Sequence, residues 1–243
     1  MELKINIANM IIRIQGVYDT LREYCKEYIV EEDEMEDFTI TITREEIQQE
    51  RESEIEIYKQ KSNNYIEIIL ALLKIAEKLP DKNKILMHGA VVAWKHEGYI
   101  FTAPSGTGKT THVRLWKKYL GTDAEIINGD KPILEINKRE VIAYGTPWAG
   151  KERLQKNCCV PVKGICFLRQ NKTNTIRKLN KKEALCLLLP QIYIMSDKKG
   201  AGRTLELFSE VLEQVLVYEL CCNISEQAVK CSFETLTFKN GIR

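Results

Sequence analysis

The run Ala103-Pro104-Ser105-Gly106-Thr107-Gly108-Lys109-Thr110-Thr111-His112 combines the residue types needed to hold a chain of phosphates. Such an anion asks for several main-chain N–H groups aimed at one point, a cation on a mobile stem and a hydroxyl for Mg²⁺. Gly106 and Gly108 let the backbone curl, and the segment Ser105, Gly106, Thr107, Gly108, Lys109, Thr110, Thr111 forms the cradle. Lys109 is placed to reach β- and γ-phosphates. Thr110 offers the metal ligand, and the helix it opens turns its positive end inward. The first glycine of the usual Walker A pattern is replaced by Ala103.

Nucleotide chemistry also asks for a carboxylate on Mg²⁺, at a strand end beside the loop. Asp130, after Ala124-Glu125-Ile126-Ile127-Asn128-Gly129, is the candidate. Asn128-Gly129 also has the chemistry of a hairpin turn with Ile133-Leu134 as return strand, and a turn and a ligand can coexist. His88 is the third candidate. Ile85–Trp94 and Tyr99–Ala103 read as strands joined by a turn at Lys95-His96-Glu97-Gly98. Folding that hairpin puts Val92 opposite Phe101 and His88 opposite Ser105, within a slip of one or two residues. His96 falls in the turn facing solvent, and His112 is assigned no role. Gly145–Arg153, with two glycines, Trp148, Lys151 and Arg153 after the strand Val141–Tyr144, suggests a loop closing over nucleotide or acceptor. Arg169, Arg177 and Arg203 are candidates to steady a transferred phosphate, although surface arginines are commoner.

These groups need a scaffold. Tyr99–Thr102 reads as the strand before the loop and Thr110–Tyr119 as the helix after it. Val162–Leu168 and Thr175–Leu179 read as further strands. Asn180, three before Glu183, caps a helix that Pro190 disturbs, and Arg203–Cys221 reads as one long amphipathic helix. Ala228–Phe238 reads as a short helix or strand. The first 80 residues differ from the rest. Leu3, Ile5 and Ile7 with Met10-Ile11-Ile12 suggest a strand or hairpin, and the acidic run Glu31–Asp37 a solvated loop. Phe38, Ile40 and Ile42 alternate as a half-buried strand, and Thr43 with Glu46 has capping-box spacing. Ile66, Ile69, Leu70, Leu73 and Ala76 mark a helix face that Pro80 ends. The expected division is 1–80, a small α+β region for acceptor recognition or oligomer contacts, and 81–243, a nucleotide-binding domain.

Composition bounds the partners. With 36 basic and 34 acidic side chains the net charge is +2, which gives no support for a nucleic-acid or membrane partner. The eight cysteines form no C-x-x-C pair, so neither a zinc framework nor a disulfide scaffold is indicated. With no signal peptide and no long apolar run, a reducing cytoplasm is expected.

Taken in order, His88-Gly89-Ala90, the loop Ala103–His112, Asn128-Gly129-Asp130-Lys131-Pro132 and Tyr144-Gly145-Thr146-Pro147-Trp148 with Gly150-Lys151 resemble the HPr kinase-like branch of the phosphoenolpyruvate carboxykinase superfamily. The resemblance covers 85–170 best and fades towards 230. It implies a compact α/β domain with mixed sheets and an embedded phosphate loop. It also implies ATP and Mg²⁺ as cofactors, and transfer of phosphate to a hydroxyl of a peptide, protein or small metabolite. Lys109 would hold the β/γ-phosphates, Thr110 and Asp130 the Mg²⁺, and His88 would lie near the transferred group. The expected catalytic set is therefore His88, Lys109 and Asp130. One departure stands out: the family pattern has two adjacent aspartates, the first taking the acceptor's proton, where this chain has Gly129-Asp130. Three alternatives follow: His88 substitutes, no strong base is needed, or catalysis is lost and a nucleotide-binding module remains. A small carboxykinase-related enzyme and a homo-oligomer are further alternatives.

Overall fold

A computed structural model describes residues 1–237 of the chain, which divides into two compact units, Met1–Lys78 and Leu79–Arg243. Among the described residues no helix is long and apolar enough to cross a membrane.

The first unit is built on a three-stranded sheet of β1 (Glu2–Ile7), β2 (Met10–Gln15) and β3 (Phe38–Thr41). β1 and β2 form the expected hairpin, turning through Ala8 and Asn9 at φ 53° and 58°, and β3 joins β2 in parallel. Helix α1 (Thr20–Tyr24) lies between β2 and β3, and α2 (Arg44–Glu52), α3 (Glu56–Lys59) and α4 (Asn63–Ala76) follow β3. The Thr43–Glu46 capping box at the start of α2 is formed in both directions. One expectation needs correction here. On α4 the buried face is wider than the expected stripe: Glu67, Ile68, Ala71, Leu72 and Ile75 are buried, while Ile69 and Leu73 are only partly so. Glu67 is covered because its carboxylate accepts from the amides of Val17 and Tyr18. The acidic run is exposed but anchored. Buried Lys4 donates to the carbonyls of Glu32 and Glu34 and pairs with Glu36 at 3.1 Å, and Arg13 also binds Glu36.

The second unit contains a mixed sheet. Its strands are β4 (Lys84–Leu86), β5 (Ala90–Trp94), β6 (Glu97–Thr102), β7 (Ala124–Asn128), β8 (Ile133–Ile136), β9 (Val141–Tyr144), β10 (Cys159–Gln170), β11 (Thr175–Lys178) and β12 (Leu216–Cys222). Its helices are α5 (Lys109–Leu120), α6 (Lys181–Leu188), α7 (Lys198–Gln214) and α8 (Glu226–Thr237). The order β4-β8-β9-β10-β6-β5-β7 is extended by β12 on β10 and β11 on β12. β10 is the spine. Its first residues pair antiparallel with β9, and its remainder runs parallel to both β6 and β12.

Successive residues of the central strands enter opposite cores, as period-two geometry requires. Ile100, Ile165 and Val217 pack with Leu188 of α6 and Leu207, Phe208 and Val211 of α7. Phe101, Cys166 and Tyr218 pack with Trp116 of α5 and Phe233 of α8. The chain is thus α/β with a mixed sheet covered on both faces.

Several expectations are revised in this unit. Ile85–Trp94 is not one strand, because Met87-His88-Gly89 leaves the ladder and bonds elsewhere: Met87 N–H to Pro132 O, His88 N–H to Gln191 O and Gly89 N–H to Asp130 O. The β5–β6 turn has two residues rather than four, Lys95 and His96 at φ 50° and 64°. Positive φ at both centres gives the twist that a two-residue hairpin needs. The register therefore pairs Ala90, not Val92, with Phe101. Asn128-Gly129 is no hairpin either: β7 pairs with β5, and β8 with β4 and β9. Arg203–Cys221 is helix only to Gln214. Asp197 caps α7 through the Gly200 amide, and Leu216–Cys222 is strand. The Asn180–Glu183 box forms, and Pro190 lies in a 3-10 turn that follows α6. Ala228 lies in α8, and Phe238 lies outside the described residues.

Candidate phosphate-binding site

The loop leaves β6 at Thr102 and enters α5 at Lys109. Gly106 and Gly108 have φ of 79° and 111°, conformations that favour glycine, and a Cβ on either would meet nothing within 4 Å. Open space thus faces the two residues where an anion would approach. Ala103 is buried and has no positive φ, so the usual glycine is not required there. Thr107 N–H is bonded to Pro104 O. Among the described residues, none accepts from the amides of Ser105, Gly106, Gly108, Lys109 or Thr110. Five donors at a helix start without acceptors have the arrangement that an oligophosphate asks for. Ser105, Gly106 and Thr111 are exposed, and Thr107, Gly108 and Thr110 partly so.

Lys109 is buried, its ammonium donating to Ala103 O at 2.9 Å and Pro104 O at 3.4 Å. Burial lowers its pKa to about 8, opposed by the charge of Asp130 and reinforced by that of Lys131. A polyanion binds the protonated form. The free protein loses that form above pH about 8, so affinity for a triphosphate is expected to fall by up to about tenfold per pH unit there. Calorimetry in buffers of different ionisation heat should show proton uptake on binding near that pH. Affinity independent of pH from 7 to 10 would contradict it.

The break between β4 and β5 brings His88 to Asp130. His88 Nε2 lies 3.2 Å from Asp130 Oδ1, and its Nδ1 lies 3.1 Å from Gln191 Oε1. Lys131 Nζ lies 3.6 Å from Asp130 Oδ2. Burial by itself would raise the Asp130 carboxyl. The His88 hydrogen bond and the charges of Lys131, His88 and Lys109 outweigh it and hold the group below the ordinary carboxylate range. The Lys131 ammonium is lowered by burial. The ionised Asp130 carboxylate and the Thr110 hydroxyl are hard oxygen donors of the kind Mg²⁺ takes alongside phosphate oxygens, so these residues fit that ion.

Asp130 is held from below. Asn128 Oδ1 accepts from the amides of Asp130 (2.9 Å) and Lys131 (2.8 Å), a local turn that keeps the carboxylate on its ledge. Asn128 Nδ2 donates to Thr146 O, Thr146 Oγ1 donates to Lys131 O, and Lys131 N–H donates to Trp148 O. The loop after β9 is thereby sewn to the ledge, and a Cβ on Gly150 would stand 3.4 Å from Asp130 Cβ. Its outer end, Lys151–Arg153, is exposed.

Gly129 has a structural cause. A Cβ there would stand 2.6 Å from Ala149 O, closer than any real side chain approaches a carbonyl. The space of a second aspartate is filled by main chain. Gly129→Asp is therefore expected to destabilise the protein by about 1–3 kcal/mol and to add no activity. Thermal melting and a transfer assay check both, and an unchanged melting temperature would refute the steric account.

Other candidates go elsewhere. Arg169 and Arg177 both pair with buried Glu219, and Arg203 binds Glu206 and Asn83, so all three are committed to structural contacts. His96 is exposed. His112 is buried with Nε2 3.1 Å from Ser232 Oγ, which also accepts from Trp116 Nε1, tying α5 to α8. Burial pushes His112 down to about 4, so its ring is neutral at ordinary pH. Lys131 and Gln191 are the residues that sequence reading missed. Lys131 was signalled by its place beside Asp130, whereas no local signal marks Gln191.

Comparison with known proteins adds a family to this geometry. No curated protein matches the chain. A solved structure described as the HPr(Ser) kinase/phosphatase from Coxiella burnetii is 11% identical over 63% of this chain and 94% of that one, with a TM-score of 0.35. Residues 53–225 match the model described as SynChlorMet cassette protein ScmC, a span that takes in the phosphate loop, the Asp130 ledge and β10. That match covers well over half of the chain, which therefore belongs to the ScmC family.

Proposed function

We propose that this chain is a Mg²⁺-dependent kinase that moves the γ-phosphate of ATP to a hydroxyl of a peptide, protein or small metabolite. The observation that carries this reading is the arrangement around Lys109. Five amides without acceptors and a buried ammonium stand within the electrostatic reach of a carboxylate held ionised by His88 and Lys131. The ordered motifs shared with HPr kinase-like proteins support the same chemistry.

In this reading the amides of Ser105, Gly106, Gly108, Lys109 and Thr110 and the Lys109 ammonium grip the phosphates, and Thr110 and Asp130 would hold Mg²⁺. When bound, that ion neutralises charge on the phosphate oxygens. The acceptor oxygen forms a bond to the γ-phosphorus as the bond to the β-phosphate oxygen breaks, and ADP leaves. The proton released by the hydroxyl is proposed to pass to His88, which Asp130 holds at 3.2 Å. Positioning and charge supply most of the catalysis, so a single strong base is not demanded. The unit Met1–Lys78 is proposed to serve acceptor recognition or contacts between copies, and a reducing cytoplasm is the proposed setting.

One observation favours a second reading. Since main chain fills the space of a second carboxylate at Gly129, the site is also suited to a module that binds nucleotide without turnover. Incubation with γ-labelled ATP, Mg²⁺ and a panel of serine peptides and hydroxylated metabolites decides between them. A labelled acceptor establishes the kinase, and nucleotide binding with no labelled product across the panel establishes the module.

A further inference from the structure

The three arginines that could steady a transferred phosphate are committed elsewhere, yet the ledge carries a further cation in Lys131. Its Nζ lies 3.6 Å from Asp130 Oδ2, while His88 Nε2 takes the other oxygen, Oδ1, at 3.2 Å. The Lys131 side chain is 29% exposed and that of Asp130 30%, whereas Lys109 is buried. A ligand arriving from solvent therefore has access to the Lys131 head.

Charge around the ledge does not balance. Lys109 donates to two carbonyls, which carry no net charge, and Lys131 shares the Asp130 carboxylate with His88. Among the described residues no other carboxylate pairs with either lysine. Two ammonium groups thus stand within electrostatic reach of one carboxylate in a partly buried site. Unmatched charge is costly there, and an incoming anion is favoured. The pairing is also loose. A separation of 3.6 Å exceeds an ordinary N–H···O hydrogen bond, so donors on Lys131 are left for another acceptor. Its stem, by contrast, starts from a fixed point. Lys131 N–H donates to Asn128 Oδ1 at 2.8 Å and to Trp148 O at 3.0 Å, and its carbonyl accepts from Thr146 Oγ1 at 2.7 Å. A side chain anchored at its root and loosely held at its head can change partner without moving the backbone.

We propose that Lys131 reads the terminal phosphate of the bound nucleotide, turning to it from Asp130 when that carboxylate serves Mg²⁺. The proposal rests on the nucleotide reading above and deepens it, by naming the group that tells a triphosphate from a diphosphate. The inner phosphates lie with the amides at the start of α5 and with the Lys109 ammonium. The terminal phosphate, carried towards Asp130 and His88, supplies Lys131 with a new counter-ion. Charge stays matched through the exchange, because Asp130 passes from one cation to another and Lys131 from one anion to another. A diphosphate ends short of Lys131, which then keeps its place at Asp130.

The test measures dissociation constants of ATP and ADP, each with Mg²⁺ and without acceptor, for the wild type, Lys131→Met and Lys131→Arg. The wild type is expected to bind ATP at least about tenfold tighter than ADP. Lys131→Met is expected to weaken ATP about tenfold and ADP no more than about twofold, the scale of one charge-assisted contact. Lys131→Arg retains most of the preference, since it keeps the charge. Lys131→Gln takes the place of the methionine variant should that one not fold. Equal binding of ATP and ADP by the wild type, an undiminished preference in the uncharged variant, or equal weakening of both nucleotides would overturn the assignment and leave the phosphate loop standing. Binding of neither nucleotide by the wild type would remove the nucleotide reading and this proposal together.

Discussion

If the chain is the proposed kinase, Lys109→Ala is expected to lower phosphate transfer by about a hundredfold to a thousandfold, the scale on which a single donor to a charged transition state acts. The ammonium is buried at the start of α5 and donates to Ala103 O within the loop. Without it, the negative charge spread over the transferred group loses the ammonium at the start of α5. The fold is much less affected. What Lys109 provides structurally is two hydrogen bonds to the carbonyls of Ala103 and Pro104, so stability shifts by no more than about 1–2 kcal/mol. Parallel melting curves and labelled-transfer rates separate the two effects. Equal turnover by variant and wild type would end the kinase reading.

Asp130→Asn keeps the shape of the ledge and removes its charge. Transfer is expected to fall at least about a hundredfold, with a higher Mg²⁺ concentration needed for half-maximal rate. Three neighbours feel the change. His88 loses the carboxylate at 3.2 Å, Lys131 loses its counter-charge at 3.6 Å, and Lys109 loses the opposite charge that opposes its burial. The Lys109 ammonium therefore drops further, and the pH above which triphosphate affinity declines moves down in the variant. Full transfer with an unaltered Mg²⁺ requirement would remove Asp130 from the site.

The parts of this site legible in the sequence are those coded by neighbours in the chain. The phosphate loop is a contiguous run whose glycines announce positive φ, and the boxes at Thr43 and Asn180 each need only residues three apart. Asp130 is a candidate in the sequence because a strand, a turn and a carboxylate occur together. His88 was reached by counting across a hairpin whose turn was taken as too long. The structure sets it not opposite Ser105 but against Asp130 and Gln191, because the chain leaves the ladder just there. Non-local pairing defeated the rest. Leu216–Cys222 carries an amphipathic pattern continuous with α7, and only the parallel neighbour β10 and antiparallel β11 make it a strand. Gln191 reaches His88 from 103 residues away, a distance no pattern spans. The meaning of Gly129 lay in a carbonyl at position 149.

The seam joining Asn128, Lys131, Thr146 and Trp148 bears on when the carboxylate is set in place. It is preorganised: its orientation is settled during folding, so arriving ligands need not spend affinity on arranging it. The same stitching means that ledge and loop reorganise together or not at all. A displacement of Trp148 would thus reach Asp130 through Lys131 and Asn128.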